Sequence, residues 1–258
     1  MSNQSRSYWK NGVHNFYDEG LDTTWKTGVW ADCPLEAIRS NPHIGYLIEE
    51  DFTNIDAATM AGYTVTQATT GTFAIGTAAG GYALADCDSG TQHQGVNVQK
   101  LGPCFLPAAN KDLWFECGFY VADTATTVQL FVGLADVDNT LMPNGDLDAA
   151  SSEFIGFGVE TTLAGVMSFY EAKATAELSD SLGTAGTLAT GTYIRTGFKV
   201  TGITGIQCWL DGVEVTLTNV VASGIPVTDV LTPSFVCQTD STTDPILHVD
   251  WYRVAQLR

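Results

Sequence analysis

The chain has 258 residues, of which 45% are hydrophobic and only 16% charged, so it can bury a large core in one principal domain with an appendage. Its 29 acidic and 11 basic residues give a formal net charge of -18, which repels phosphates, and we expect no nucleic-acid partner. The six cysteines are scattered and form no C-x-x-C pair. This spacing argues against a zinc site and against a small disulfide framework, and we expect mostly buried, reduced thiols.

Residues 1–44 differ from the rest of the chain, because aromatic side chains are interspersed there with Asn, Gly, Asp and Lys without a sustained period. We interpret this segment as an extended N-terminal arm that precedes a domain at 45–258. An arm this aromatic either packs on its own domain or docks on another subunit, where Trp and Tyr act as anchors. The candidate anchors are Tyr8, Trp9, Phe16, Tyr17, Trp25 and Trp30.

The N-terminal sequence predicts neither secretion nor membrane insertion. Residues 1–20 contain no apolar run like the core of a signal peptide, and no segment approaches the ~20 apolar residues of a membrane span. We therefore expect a soluble protein that is made in the cytoplasm and has no membrane partner.

From residue 45 onward, short runs of β-branched and aromatic residues are separated by turn residues. This pattern predicts about fourteen strands and almost no helix, which is typical of an all-β sandwich. The predicted strands are residues 46–52, 63–68, 73–76, 82–86, 96–99, 113–121, 128–134, 154–159, 166–171, 193–200, 206–210, 213–217, 230–236 and 246–256. Short helical turns are predicted at 34–40 and 56–61, and long surface loops at 135–152 and 172–190.

Strand 113–121 shows the two-residue period of a sheet most clearly. One set of alternating positions holds Leu113, Phe115, Cys117, Phe119 and Val121, and the other holds Trp114, Glu116, Gly118 and Tyr120. We place Cys117, and Cys208 of strand 206–210, on inward faces. The alternation favours a sheet scaffold over an active site.

Residues 206–215 read I-Q-C-W-L-D-G-V-E-V, in which Asp211-Gly212 supplies the positive φ angles of a tight hairpin turn. Together with strand 193–200 before it and strand 246–256 after it, this hairpin resembles the concanavalin A-like jelly roll of laminin G-like domains, legume lectins and many glucanases. The resemblance covers about residues 45–258. It implies that the opening strand 46–52 lies beside the closing strand, and it says little about activity.

Laminarinase-like members of this fold carry a Glu-x-Asp-x-(x)-Glu strand, which places an acid and a nucleophile on one face. The nearest match here is Glu49 and Asp51, followed by Thr53 and Asn54 where the second glutamate should stand. We interpret Glu49 to Asp51 as a solvated strand edge, and we expect no catalytic residue and no enzymatic activity. A degraded glycan hydrolase is a third hypothesis, behind two binding functions.

No metal and no cofactor are expected. The aspartates at 86, 88, 136, 138, 146 and 148 could offer oxygen ligands to calcium, but no glycine and distal glutamate complete a calcium loop. The four histidines, His14, His43, His93 and His248, lack metal-ligand spacing and are interpreted as surface or capping residues. No nucleophile elbow or phosphate-binding loop is found.

Two binding functions remain open. The acidic, Thr/Ala/Gly-rich sandwich with an aromatic arm is similar in style to head decoration, or cement, proteins of tailed bacteriophages. That resemblance implies a homotrimer on the virion surface that binds the major capsid protein and stabilises the capsid lattice. The alternative is a lectin-like carbohydrate-binding module, which a virion could display to hold host glycans, with Trp209 as a sugar-stacking platform. Tryptophans in such strands, here Trp114, Trp209 and Trp251, are nevertheless more often core or subunit-interface residues.

Overall fold

The structure, a computed structural model, describes residues 4–10, 13–19, 28–53, 55, 61–68, 71–76, 81–87 and 91–258, with side chains from residue 28 onward apart from residue 68. Two antiparallel sheets form a sandwich, which confirms the predicted all-β jelly-roll class. In the described part of the chain, no helix has the length and apolarity that crossing a bilayer requires.

The first sheet has seven strands in the order β12-β11-β10-β9-β16-β7-β4. Its strands are β4 (Tyr63–Ala68), β7 (Gly95–Lys100), β9 (Val128–Ala135), β10 (Phe154–Val159), β11 (Ser168–Lys173), β12 (Ala176–Ser181) and β16 (Thr232–Thr239).

The second sheet has eight strands in the order β15-β14-β13-β8-β17-β6-β5, with β3 also paired to β17. Its strands are β3 (Gly45–Glu50), β5 (Thr72–Ile75), β6 (Ala83–Asp86), β8 (Leu113–Ala122), β13 (Ile194–Thr201), β14 (Gly205–Leu210), β15 (Val213–Val215) and β17 (Ile246–Leu257). Strands β6 and β3 follow one another along the same edge of β17, which confirms that the opening strand lies beside the closing strand.

The core lies between the two sheets and follows the predicted alternation. Every second residue of β8, starting at Leu113 and including Cys117, is buried in it, and so is Cys208. Phe198 stacks on Phe115 of the same sheet with ring centroids 5.0 Å apart, and it meets Phe169 of the opposite sheet edge-on at 5.6 Å, which links the two sheets. Burying a phenylalanine side chain contributes about 1.5–3 kcal/mol, so this group is a main source of stability.

The predicted hairpin at 206–215 is confirmed. Asp211 and Gly212 have φ angles of 48° and 79° and join β14 to β15, the geometry of a two-residue turn that matches strand twist.

The prediction of a long surface loop at 172–190 is wrong, because β12 lies within it and pairs with β11. The turn between these strands is Ala174-Thr175, with φ angles of 51° and 74°. Neither residue type favours a left-handed backbone, so the sequence carried no hairpin signal there.

The loop at 135–152 contains only a short 3-10 turn, Pro143–Gly145, but it is not purely a surface loop. Leu141, Met142 and Leu147 are buried against Phe131 and Tyr170 on the outer face of the seven-stranded sheet. Amide side chains of the sheet bind its backbone: Asn97 Nδ2 donates to Asp138 O at 2.7 Å, Gln99 Nε2 to Asp136 O at 2.7 Å and Gln238 Nε2 to Met142 O at 2.8 Å.

The described parts of residues 1–44 contain regular structure that the sequence did not predict. Strands β1 (Gln4–Lys10) and β2 (Val13–Glu19) form an antiparallel hairpin. The predicted helical turn after Pro34 is confirmed as α1 (Leu35–Ser40). The predicted turn at 56–61 falls almost entirely outside the described residues.

Candidate functional site

The outer face of the eight-stranded sheet is divided into a covered part and an open part. Residues 28–44 lie over the covered part, where Val29 and Ile38 pack on Trp114, Trp209 and other outward side chains of the sheet. Trp114 and Trp209 are only 1% and 4% exposed. The core interpretation of these two tryptophans is confirmed, and Trp209 is not available as a sugar platform.

Residues 28–44, which we call the covering segment, are held by polar contacts as well as by apolar packing. Trp30 Nε1 donates to Glu116 Oε2 at 2.6 Å, and Arg253 lies over the Trp30 ring at 5.2 Å. Asp32 accepts from Trp114 Nε1 at 3.0 Å and pairs with Lys199. Trp30, one of the predicted partner anchors, is therefore engaged within its own chain.

The other predicted anchors are not tested by these contacts. Tyr8 and Trp9 lie on β1, and Phe16 and Tyr17 on β2, but the description of β1 and β2 does not extend to side chains. Trp25 lies outside the described residues. Docking of the arm on a partner stays a prediction.

The open part of the outer face is lined by rings from four separate regions of the chain. We call Tyr82, Tyr120, Tyr193, His248 and Trp251 the aromatic face. His248 is stacked between two tyrosines, with ring centroids 5.1 Å from Tyr82 and 4.3 Å from Tyr120. Tyr193 is 45% exposed, and the other four are partly buried. These rings form a hydrophobic surface with polar tips.

Gly118 gives the aromatic face its close packing. A Cβ atom at this position would overlap the Tyr193 hydroxyl and lie 2.8 Å from Trp251 Nε1. Trp251 and Asp250 are the neighbouring polar groups that act on the Tyr193 hydroxyl. Burial raises the pKa of Tyr193, and the Asp250 carboxylate adds to this rise. The Tyr193 hydroxyl is therefore neutral at physiological pH.

A groove of about 670 Å³ adjoins the aromatic face where β17 passes from β6 to β3. The pairing of β17 with β8 is irregular between Val249 and Trp251, and such bulges redirect side chains. The groove is lined by Glu49, Glu50, Asp51, Asp250, Trp251, Tyr252 and Arg253. The groove thus places the partly exposed Trp251 ring beside several carboxylates.

Glu49 and Asp51, which come nearest to the incomplete laminarinase pattern, are both held by other groups of the protein. Glu49 accepts from Arg39 through both oxygens, at 3.0 Å and 2.5 Å, and pairs with Arg253 Nε at 2.7 Å. Asp51 accepts from Thr53, and these hydrogen bonds lower its pKa. Asn54 lies outside the described residues. Glu49 and Asp51 thus act in ion pairing and in capping a turn.

Glu116 is a further carboxylate on this face, at the boundary of the covered part. Its side chain is 12% exposed and pairs with Arg195 at 3.4 Å. Burial raises the pKa of Glu116, while the Trp30 hydrogen bond and the charges of Arg195 and Arg253 act in the opposite direction. Glu116 therefore helps to hold the covering segment in place.

The sequence predicts a surface or capping role for His248, and the structure places this residue at the centre of the aromatic stack. Burial lowers the pKa of its imidazole, and the Asp123 charge offsets part of this effect. His248 on β17 is paired with Tyr120 on β8, and both side chains point outward from the sheet. This pairing is the signal that could have identified His248.

Three of the loop aspartates weighed as calcium ligands, Asp138, Asp146 and Asp148, accept hydrogen bonds from the protein itself. Asp138 Oδ1 accepts from Thr140 N at 2.8 Å, and Asp148 Oδ1 from Ala150 N at 3.0 Å. Among the described residues, no group of three or more His, Cys, Asp or Glu side chains could hold a metal ion. Asp88 lies outside that part of the chain.

No protein-family model and no curated protein matches the sequence. Solved structures do match in fold. A protein of unknown function from Shewanella oneidensis MR-1 is 12% identical, with a TM-score of 0.56 over 87% of this chain and 94% of that one. Peanut lectin is 9% identical, with a TM-score of 0.54 over 83% and 98% of the two chains.

A β-glucanase from Bacillus licheniformis is 13% identical, with a TM-score of 0.51 over 81% of this chain and 98% of that one. Identities this low show the fold alone and carry no activity from one protein to another. Together with the sheet order, these similarities identify the fold as a concanavalin A-like jelly roll.

Proposed function

We propose that the protein binds neutral carbohydrate on the aromatic face and the adjoining groove. The observation that carries this proposal is the set of partly exposed rings beside the carboxylates Asp250 and Glu49. A pyranose ring has C–H groups on its faces and hydroxyls around its edge. It can therefore stack on Trp251 or Tyr193 while its hydroxyls donate to nearby oxygens. The fold is shared with a lectin and a β-glucanase, which is consistent with such a ligand.

The charge of the protein favours a neutral glycan over an acidic one. The net charge is -18, and of the four carboxylates that line the groove, Glu49 and Glu50 are in ion pairs, which leaves the charges of Asp51 and Asp250. A uronic acid or sialic acid within about 8 Å of these groups would be repelled at physiological ionic strength. Because the groove is open and would bury only part of a sugar, we expect a Kd on the order of 0.1–1 mM for a short oligosaccharide.

Binding without hydrolysis is part of the proposal. Glu49 is neutralised between Arg39 and Arg253, and Thr53 stands at one of the two positions where the glucanase pattern would have its second glutamate. A general acid and a nucleophile on one face are what glycoside hydrolysis needs. Release of reducing sugar from any bound glycan would contradict this part of the proposal and would direct attention to Glu49 and Asp51.

The binding proposal is tested with a glycan array, followed by calorimetric titration of the best neutral oligosaccharide. We expect Trp251→Ala to weaken binding at least about tenfold, which corresponds to ~1.4 kcal/mol. Val213→Ala is the matched control, because Val213 is 68% exposed on β15, at the far edge of the same sheet. Unchanged affinity in a correctly folded Trp251→Ala variant, or an array without any neutral ligand, would refute the proposal.

Capsid decoration stays a second, sequence-based proposal, and with it the virion location, the homotrimer and the major capsid protein as partner. This proposal rests on the acidic, Thr/Ala/Gly-rich composition of the chain and on its aromatic arm. The described contacts and the similar structures add no support. Since residues 28–44 pack on the sandwich, the appropriate test removes residues 1–27 only. Cosedimentation of the full chain with capsids, lost in that truncation, would support it; no cosedimentation of the full chain would end it.

A further inference from the structure

Two buried cysteines from opposite sheets are in direct contact inside the sandwich. Cys87 directly follows β6 of the eight-stranded sheet, and Cys237 lies in β16 of the seven-stranded sheet. Their Sγ atoms are 3.4 Å apart, and both residues are 0% exposed. The sequence suggested neither a disulfide framework nor a pairing, because 150 positions separate the two residues.

We propose that Cys87 and Cys237 are a disulfide site that covalently joins the two sheets when the chain folds in the presence of a disulfide oxidant. A disulfide bond is about 2.05 Å long, so the sulfurs would have to approach by roughly 1.3 Å from their present contact. The proposal is independent of carbohydrate binding.

The surroundings of the pair accommodate loss of the thiol protons. Cys237 Sγ lies 3.6 Å from the Pro245 carbonyl oxygen, which is a weak contact for a thiol donor. The same carbonyl accepts from Cys87 N at 3.4 Å. After oxidation the Pro245 carbonyl oxygen would lose the Cys237 thiol but would keep the Cys87 backbone N–H as a donor, so little hydrogen bonding would be lost.

The reaction is a thiol–disulfide exchange with a small disulfide such as oxidised glutathione. One cysteine thiolate attacks the small disulfide, which forms a mixed disulfide and releases one thiol. The second cysteine then attacks the mixed disulfide, which forms the Cys87–Cys237 bond and releases the second thiol. The two cysteines together lose two protons and two electrons, and the small disulfide is reduced to two thiols.

Burial sets when this exchange can occur. The attacking species is the thiolate, and the pKa of Cys87 is raised by its hydrogen bond to Cys237 and by burial. A folded, reduced chain therefore reacts slowly, whereas an unfolded chain presents both thiols to the oxidant. We infer that the bond forms during folding and that, once formed, it is protected from reductants in the same way.

The test refolds the full chain from guanidinium, once with a mixture of reduced and oxidised glutathione and once with dithiothreitol. We expect the oxidised sample to lose the mass of two hydrogens and to yield the Cys87–Cys237 cross-linked peptide in non-reducing mass mapping. Closing a loop of this length should raise Tm by roughly 10 °C, and the rise should vanish after unfolding with reductant.

Cys87→Ser is the variant that removes the bond, and Cys208→Ser is the matched control, because Cys208 is another buried cysteine. The control should still form the Cys87–Cys237 peptide. Mapping of the wild-type chain decides the matter even where a variant fails to fold. Six free thiols after oxidative refolding, or a cross-link between other cysteines, would overturn the proposal. Oxidation of the folded protein as fast as during refolding would overturn the inferred order of events.

Discussion

Replacing the buried Glu171 by glutamine should make the protein more stable at neutral pH. Glu171 on β11 is 0% exposed. Its Oε1 accepts from Val221 N at 2.8 Å, and its Oε2 is buried without a hydrogen-bond partner among the described residues. Burial raises the pKa of Glu171 to about 7, with a further contribution from Asp180, while the Val221 hydrogen bond lowers it.

The sign and size of the effect follow from proton linkage. An acid whose pKa is higher in the folded state binds its proton more tightly there, so the folded state is favoured at low pH and loses stability as pH rises from about 4.5 to about 7. A shift of about 2.5 pKa units corresponds to about 3 kcal/mol. Glutamine has nearly the same shape, keeps an acceptor for Val221 N and carries no charge at any pH.

The assay is the free energy of unfolding by urea between pH 4.5 and pH 8 for the wild type and Glu171→Gln. We expect equal stability near pH 4.5 and an advantage of the variant of about 1–3 kcal/mol at pH 8. Glu214→Gln removes the same charge from an exposed position and should run parallel to the wild type. If the free energy of unfolding of Glu171→Gln runs parallel to that of the wild type across this pH range, or is lower at pH 8, the buried carboxylate does not destabilise the folded protein.

Two further substitutions test the core and the aromatic face. Phe198→Ala removes a ring that contacts Phe115 and Phe169, and we expect a loss of about 3–5 kcal/mol in urea unfolding; a loss below 1 kcal/mol would contradict the packing described. Gly118→Ala places a methyl group against Tyr193 and Trp251, so we expect glycan affinity to fall with little change in the far-ultraviolet circular dichroism spectrum. Retained affinity would show that these two rings do not contact the sugar.

The fold was largely predictable because strand periodicity is a local signal. The alternation in β8 and the Asp211-Gly212 turn directly reflect side-chain direction and backbone φ. Strand β12 was missed because its turn, Ala174-Thr175, adopts a left-handed backbone without glycine or asparagine. The buried residues of the loop at 135–152 were missed because its apolar side chains have no period and are few among polar neighbours.

The aromatic face was not predictable, because its rings come from positions between 82 and 251 that only the sheet pairing brings together. Trp209 and Trp251 illustrate the limit. Both belong to strands of the same sheet. From the residue type alone, each could be a sugar platform or a core residue. Trp209 lies under residues 28–44 and Trp251 borders the open groove.

The position of the covering segment therefore decides which tryptophan can meet a ligand. That position depends on contacts such as the Trp30 hydrogen bond to Glu116, which joins residues 86 positions apart. Local sequence patterns carry no information at such a distance. Any change that loosens residues 28–44 should expose Trp114 and Trp209 as additional rings and enlarge the apolar surface. Their burial limits the open surface to the aromatic face and thereby gives the proposed binding site its boundary.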